Sequence, residues 1–429
     1  MSEFKGYKGR SLEFLQKNCI NVGDTVEIQD NVKYLGIIMP RYEHGDDKHI
    51  VLKLKSGYNI GLELEKIQSI QKIPSKENKA KNMEDLKKNP SLPKILLLST
   101  GGTIASKVDY RTGAVTPVLT AEELNTSVPE LAEIANIDTE VLFSEYSENI
   151  MPENWQQIAQ RLGEFDKSDY AGIIIAHGTD TMHYTSAYLS FALAGYPIPV
   201  ALVGSQRSSD RASSDAALNL IGAARFLVGC KTNGIFVVMH KDENDIDIAC
   251  HFGTRVRKNH TSKRGAFQTV GDAPAFIVTG EQIKRNSTSE FFKSKKYQMK
   301  TNLKTNVALV KYHPGYDPNL LEKILELGYE AIIFEGTGLG HVGRVMYEKI
   351  KKANEKGVFL GMTSQCIDGR ISMTVYESGR DLLDLGIIPL EDMIPEVALV
   401  KTMWALGNAS GKEEVKRIML ENIASEITN

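Results

Sequence analysis

Two glycine turns carry the residue types best suited to chemistry. Ser99-Thr100-Gly101-Gly102-Thr103-Ile104-Ala105 places two glycines before a threonine, and Ala176-His177-Gly178-Thr179-Asp180-Thr181, about 75 residues later, joins hydroxyls to a carboxylate. Glycines let a backbone turn sharply and bring amide N–H groups against a ligand, so a hydroxyl beside them has the outline of a nucleophile with its oxyanion donors. A plainer reading makes Thr103 the cap of whatever follows, and makes Thr179 and Asp180 N-caps for a helix through Tyr188 and Leu189. A lysine beside Thr179 and Asp180 would lower the cost of removing a hydroxyl proton, which is how a threonine becomes a usable nucleophile. Later turns add Gly204-Ser205-Gln206-Arg207-Ser208, Ser213-Ser214-Asp215 and Arg255-Val256-Arg257-Lys258-Asn259-His260.

Each turn follows a short apolar run: Ile95-Leu96-Leu97-Leu98, Ile173-Ile174-Ile175, Val200-Ala201-Leu202-Val203 and Ile235-Phe236-Val237-Val238-Met239. Bare apolar runs of this length suit strands buried on both faces. Between them Trp155, Ile158, Ala159, Leu162 and Phe165 recur at helical spacing after Pro152, a good first helical residue. Strand, helix, strand predicts a parallel sheet with right-handed crossovers, and ligands of such sheets lie at the carboxyl ends of the strands.

A shorter series of the same kind begins near Asn306 with Val307-Ala308-Leu309-Val310, Ala331-Ile332-Ile333-Phe334 and Val358-Phe359-Leu360-Gly361, and closes with helices around 397–406 and 415–427. Ahead of both, residues 22–73 hold β-branched runs separated by turn residues at roughly ten-residue spacing, the pattern of a small β-barrel. Such a module serves docking or RNA binding, or acts as a lid or oligomerisation element. Residues 74–93, polar, lysine-rich and bounded by prolines, predict a linker. The expected organisation is α/β: a barrel over 1–73, a linker over 74–93, a larger parallel-sheet domain over 94–290 and a smaller α/β domain over 291–429.

With 51 Lys+Arg against 54 Asp+Glu and a net charge of −3, no overall excess of charge draws this chain to nucleic acid or a membrane surface. The amino-terminal residues lack an apolar signal region, and no apolar run reaches the roughly 18 residues that span a bilayer, which predicts a cytoplasmic protein without membrane contact. Cys19, Cys230, Cys250 and Cys366 are scattered, and the nine histidines form no His-x-x-x-His pair or Cys/His cluster, so no metal site is expected. Gly338-Leu339-Gly340-His341-Val342-Gly343 spells a dinucleotide-binding pattern, but the strand at Val358–Gly361 leads into Met362-Thr363-Ser364-Gln365 with no carboxylate for a ribose. These glycines would instead let a helix pack close to its strand.

Thr100-Gly101-Gly102-Thr103-Ile104-Ala105 and His177-Gly178-Thr179-Asp180-Thr181 together resemble the two signature motifs of the bacterial-type L-asparaginase family, and the resemblance runs from about Pro93 to the C-terminus. It implies that Thr103 is the acyl-accepting nucleophile, that Tyr110 assists proton transfer, and that Thr179, Asp180 and Lys258 form a supporting triad. It also implies that Ser147 and Glu148 hold the backbone of an amino-acid substrate. Glu148 stands where the family often has glutamine, a change that would strengthen the grip on the substrate ammonium. Gly102 and Gly178 would supply backbone amides. In the family a homodimer completes each site from the smaller domain, for which Glu377 is the candidate.

The added amino-terminal module and linker make the whole resemble the D-subunit family of archaeal glutamyl-tRNA(Gln) amidotransferases. That resemblance implies a glutaminase that hydrolyses glutamine through a threonyl acyl-enzyme and supplies ammonia to an E subunit. The E subunit, using ATP and Mg, converts Glu-tRNA(Gln) to Gln-tRNA(Gln), while the chain itself needs no cofactor. The alternatives are a free-standing cytosolic asparaginase or glutaminase with an appended domain, and a non-enzymatic tRNA-binding scaffold.

Overall fold

The structure, a computed structural model, describes residues 6–39, 41, 45–54, 59–73, 89–102, 106–108, 115–117, 124, 128–207, 214–230, 232–286 and 296–428. Alternation of side chains across buried strands organises the larger domain. In strand Lys94–Gly101, Leu96 and Leu98 enter one core while Ile95 and Leu97 enter the other. In Tyr170–Ala176, Ile173 and Ile175 likewise oppose Ile174 and Ala176. Helix Met182–Ala192 packs in the first core and helix Ala216–Gly229 in the second, so both faces of the apolar stretches of these strands are buried.

Five strands run parallel in the spatial order Asn136–Glu145, Lys94–Gly101, Tyr170–Ala176, Val200–Val203 and Ile235–His240. Antiparallel strands Asp247–Phe252, Phe276–Thr279 and Gln282–Arg285 then widen the sheet to eight. The apolar runs anticipated the four inner parallel strands. They missed Asn136–Glu145, an edge strand with only Ile137 buried, and the antiparallel extension. The strands that follow Lys94–Gly101 in sequence lie on opposite sides of it, so the strand order reverses there. A crevice at such a reversal is where open α/β sheets bind ligands.

Helix Pro152–Gly163 starts at the expected proline. The Met151 amide donates to Asn154 Oδ1 at 2.9 Å, and Trp155, Ile158, Ala159 and Leu162 face the core. The smaller domain holds four parallel strands, Val307–Lys311, Ala331–Gly336, Phe359–Ser364 and Ile388–Pro389. Helix Pro395–Asn408 lies between that sheet and helix Met182–Ala192, and its apolar side chains join the larger domain's core. Phe191 and Trp404 stack across this junction with ring centroids 5.8 Å apart. Because helix Pro395–Asn408 packs against both the smaller sheet and the larger domain's helix, the two domains are not independently packed bodies. The last helix, Lys412–Leu420, stops short of the expected Ile427, because residues 421–428 run irregularly into the domain junction, where Glu426 pairs with Lys401 at 2.6 Å and neither side chain touches solvent. The glycine pattern at 338–343 makes a tight turn: Gly340 has φ +101°, Thr337 bridges His341, and a 3-10 turn separates these residues from helix Tyr347–Glu355. The glycines therefore turn the chain and bring no helix end to a ligand.

The amino-terminal module is a five-stranded antiparallel sheet in which Ser69–Lys72 returns to pair with Thr25–Gln29, beyond Lys33–Ile38, His49–Leu54 and Asn59–Glu63. Its core includes Val26, Ile28, Ile38, Ile50, Leu52 and Leu62 and is joined by Leu15 of helix Gly9–Lys17, an element not anticipated from the sequence. Of the expected linker, residues 74–88 lie outside the described residues.

Candidate active site

Three turns at neighbouring strand ends converge. A β-carbon on Gly102 would stand 2.6 Å from the Gly178 nitrogen, one on Gly178 would stand 2.7 Å from Ser147 Cβ, and one on Gly204 would stand 2.8 Å from the Thr179 methyl. Contacts this short exclude any side chain, and Gly101 and Gly102 also hold φ of +109° and +80°. The first turn is tied to the second by the Thr100 hydroxyl, which donates to the Ala176 carbonyl at 2.9 Å. The second is tied to the Ser147 segment by the Thr181 hydroxyl, which donates to the Ser147 carbonyl at 2.6 Å.

Thr179 and Asp180 do not cap the helix. That helix begins at Met182, its cap residue is Thr181, and no side chain caps it. Both side chains instead meet Lys258, whose ammonium donates to Thr179 Oγ1 at 2.8 Å and to Asp180 Oδ1 at 2.6 Å. Lys258 ends a two-stranded ribbon formed by Val256–Lys258 and Phe267–Thr269. Its side chain is 9% exposed and that of Asp180 is 66% exposed, so the ion pair itself contributes at most about 1 kcal/mol to stability. Its consequence is orientation and charge: an ammonium donating into a hydroxyl oxygen makes the hydroxyl proton easier to lose, while the carboxylate holds the ammonium in place.

Two histidines line the back of the site as neutral bases. His177 is fully buried, with Nδ1 2.7 Å from the Gly178 carbonyl and Nε2 2.9 Å from the Thr185 hydroxyl, and burial lowers its pKa to about 4. His183 is lowered to about 4, first by burial and then by the positive charges of Arg257 and Lys258. Neither adds positive charge near Lys258 at neutral pH.

The structure thus brings Gly102, Gly178, Thr179, Asp180, Lys258 and Ser147 together. Glu148 follows Ser147 in the same short turn and is exposed. Glu377, itself exposed, opens helix Glu377–Asp384 in the smaller domain, and among the described residues it shares no hydrogen bond or ion pair with this cluster. Thr103 and Tyr110 lie outside the described residues; Tyr110 falls between Ser106–Val108 and Val115–Pro117, which pair antiparallel. Sequence reasoning missed Thr181 as a bridge and Gly204 as the support behind Thr179; a third glycine at a third strand end was the signal for the latter. Among the described residues no cluster of three or more His, Cys, Asp or Glu could hold a metal, and no helix is long and apolar enough to cross a membrane.

Comparison with known proteins identifies the domains. The asparaginase N-terminal domain matches residues 94–291, the glutaminase/asparaginase C-terminal domain matches 306–419, and the GatD N-terminal domain matches 20–73. Among solved structures, the thermostable L-asparaginase from Thermococcus kodakarensis superposes with a TM-score of 0.70 at 34% identity, covering 78% of this chain and 99% of its own. L-asparaginase I from Vibrio cholerae superposes with a TM-score of 0.68 at 26% identity, covering 79% of this chain and 100% of its own. The fold is therefore of the asparaginase class. The D subunit of glutamyl-tRNA(Gln) amidotransferase from Sulfolobus acidocaldarius is 45% identical over 424 residues, spanning 98% of this chain and 95% of the relative. That of Pyrococcus furiosus is 45% identical over 431 residues and spans 97% of both. The chain belongs to the D-subunit family of glutamyl-tRNA(Gln) amidotransferases.

Proposed function

We propose that this chain is the glutaminase component of a tRNA-dependent amidotransferase. The observation that carries the reading is the contact of Lys258 with Thr179 and Asp180 beside the Gly102–Gly178 approach, in a chain related end to end to amidotransferase D subunits. Thr103 is the next residue after Gly102, one Cα step of about 3.8 Å along the chain. Its hydroxyl oxygen adds to the side-chain carbonyl of glutamine, with Tyr110 assisting the proton transfer. Amides of the glycine turns take the oxyanion, ammonia leaves with the transferred proton, and water then releases glutamate and restores the hydroxyl. Ser147 and neighbouring amides hold the substrate carboxylate, Asp180 and Glu148 its ammonium, and Glu377 contributes from the second protomer of a homodimer.

Ammonia passes to an E subunit that amidates Glu-tRNA(Gln) with ATP and Mg, so this chain works in the cytoplasm and needs no cofactor of its own. The module matched over 20–73 is what a free-standing asparaginase lacks. The test measures ammonia release from glutamine and from asparagine by the full-length protein, with and without the partner subunit and Glu-tRNA(Gln). Release from glutamine that rises with both additions and vanishes in Thr103→Ala supports the reading. Strong partner-free asparagine hydrolysis points to a free asparaginase, and unchanged function in Thr103→Ala points to a binding scaffold.

A further inference from the structure

The ribbon that presents Lys258 is secured from behind by the smaller domain. Its ladder has only three rungs, Val256 to Thr269, Arg257 to Gln268 and Lys258 to Phe267. A two-stranded ribbon of that length does not hold its own position. Side chains alternate along it: Val256 enters the core and Lys258 reaches Thr179, while Arg255 and Arg257 turn toward the smaller domain.

Arg255, 1% exposed, pairs with Asp392 Oδ2 at 2.9 Å and donates through Nε to the Ser425 carbonyl at 2.9 Å. Arg257 pairs with Glu396 Oε1 at 2.7 Å, and Glu396 is 9% exposed. Arg255 just before the strand and Arg257 within it thus each meet a carboxylate of the smaller domain. Asp392 and Glu396 straddle the start of helix Pro395–Asn408, the helix packed between the two domains. Glu396 Oε2 is buried without a hydrogen-bond partner among the described residues, so Arg257 is the group that makes its charge tolerable there.

We propose that Arg257, seated on Glu396, is a positioning residue that sets the reach of Lys258 to Thr179, so that the smaller domain of the same chain holds the amine of the site in place. The kinetic arm of the test rests on the role given to Lys258 above; the labelling arm does not. In the full-length protein, the paired change Arg257→Gln with Glu396→Gln removes both charges and leaves neither buried alone. Glu396→Gln alone is the second variant should the pair fold poorly, and Arg257→Lys is the conservative rescue.

Acylation of Lys258 by an amine-reactive ester is followed by peptide mass spectrometry, alongside kcat and KM for glutamine. With the melting temperature held within a few degrees, Lys258 should label several-fold faster. Loss of orientation should lower kcat on the order of 10–100-fold with KM changed less than about twofold. Arg257→Lys should restore most of both. Unchanged labelling of Lys258, or an equal rise at remote Lys304 and Lys311, overturns the proposal. Faster labelling with kcat intact upholds the positioning and removes Lys258 from the catalytic machinery instead.

Discussion

Gly102 and Gly178 meet backbone to backbone: a β-carbon on the first would stand 2.6 Å from the nitrogen of the second. The contact joins two strand ends that flank the reversal of strand order in the large sheet, and it brings Gly102 up to the turn whose Thr179 meets Lys258. Neither backbone has room to retreat, since Gly178 also abuts Ser147.

Gly102→Ala is therefore expected to remove glutaminase activity and to lower stability. The φ of +80° and the contact with backbone atoms together cost roughly 1–3 kcal/mol. Ammonia release and a thermal melt on the same preparation check it; an alanine variant with parental activity would show that the two turns are not tightly apposed.

Thr179→Val keeps the shape of the side chain and removes the oxygen that accepts from Lys258. Loss of a positioned proton-transfer partner lowers kcat by about 10²–10⁴. Thr179→Ser retains the hydroxyl and should stay within about tenfold of the parent, the milder cost of a loosened group. Steady-state kinetics with glutamine separates the two, and similar rates for valine and serine would mean the hydroxyl is not used.

Acid should weaken the fold before it reaches the carboxylates. His177 and His183 titrate near 6.5 when unfolded and near 4 when buried, so below 6.5 the unfolded chain takes up protons that the native state refuses. Stability is complete above about pH 6.5 and falls as pH drops toward 4, by roughly 3 kcal/mol per histidine at the bottom of that window. Melting curves across this range in the parent and in His177→Gln check the sign: the variant should lose part of the slope. A parent whose melting temperature is flat between about pH 6.5 and 4.5 would contradict it.

The Lys401–Glu426 pair, with neither side chain exposed, should behave as a lock on the carboxyl-terminal segment. Lys401 also donates to the carbonyls of Met419 and Glu421, and Glu426 accepts from the amides of Ile423 and Ala424. Lys401→Met strands a buried carboxylate and is expected to cost about 3–5 kcal/mol. Adding Glu426→Gln to it should recover part of that loss. Denaturant unfolding of the single and double variants measures the recovery, and equal stabilities would mean the pair carries no special weight.

Much of the frame was legible because its determinants are local. Ile95–Leu98, Ile173–Ile175, Val200–Val203 and Ile235–Met239 must be buried on both faces, and Pro152 suits the first position of the helix whose apolar residues follow at helical spacing. Strand Asn136–Glu145 buries too few apolar residues to leave a pattern, and it is a strand because Lys94–Gly101 offers it a ladder. The glycine turns were legible as turns, and Thr179 and Asp180 as polar groups at a strand end.

What those polar groups do was decided elsewhere in the chain. Nothing in His177-Gly178-Thr179-Asp180-Thr181 distinguishes a helix cap from a pair that meets a distant amine; the amine comes from Lys258, whose neighbour Arg257 meets Glu396 of the smaller domain. Local rules set by burial and backbone sterics act over a few residues and can be read directly. Contacts between residues some 80 to 140 positions apart depend on how the layers close, and that closure belongs to the folded molecule alone.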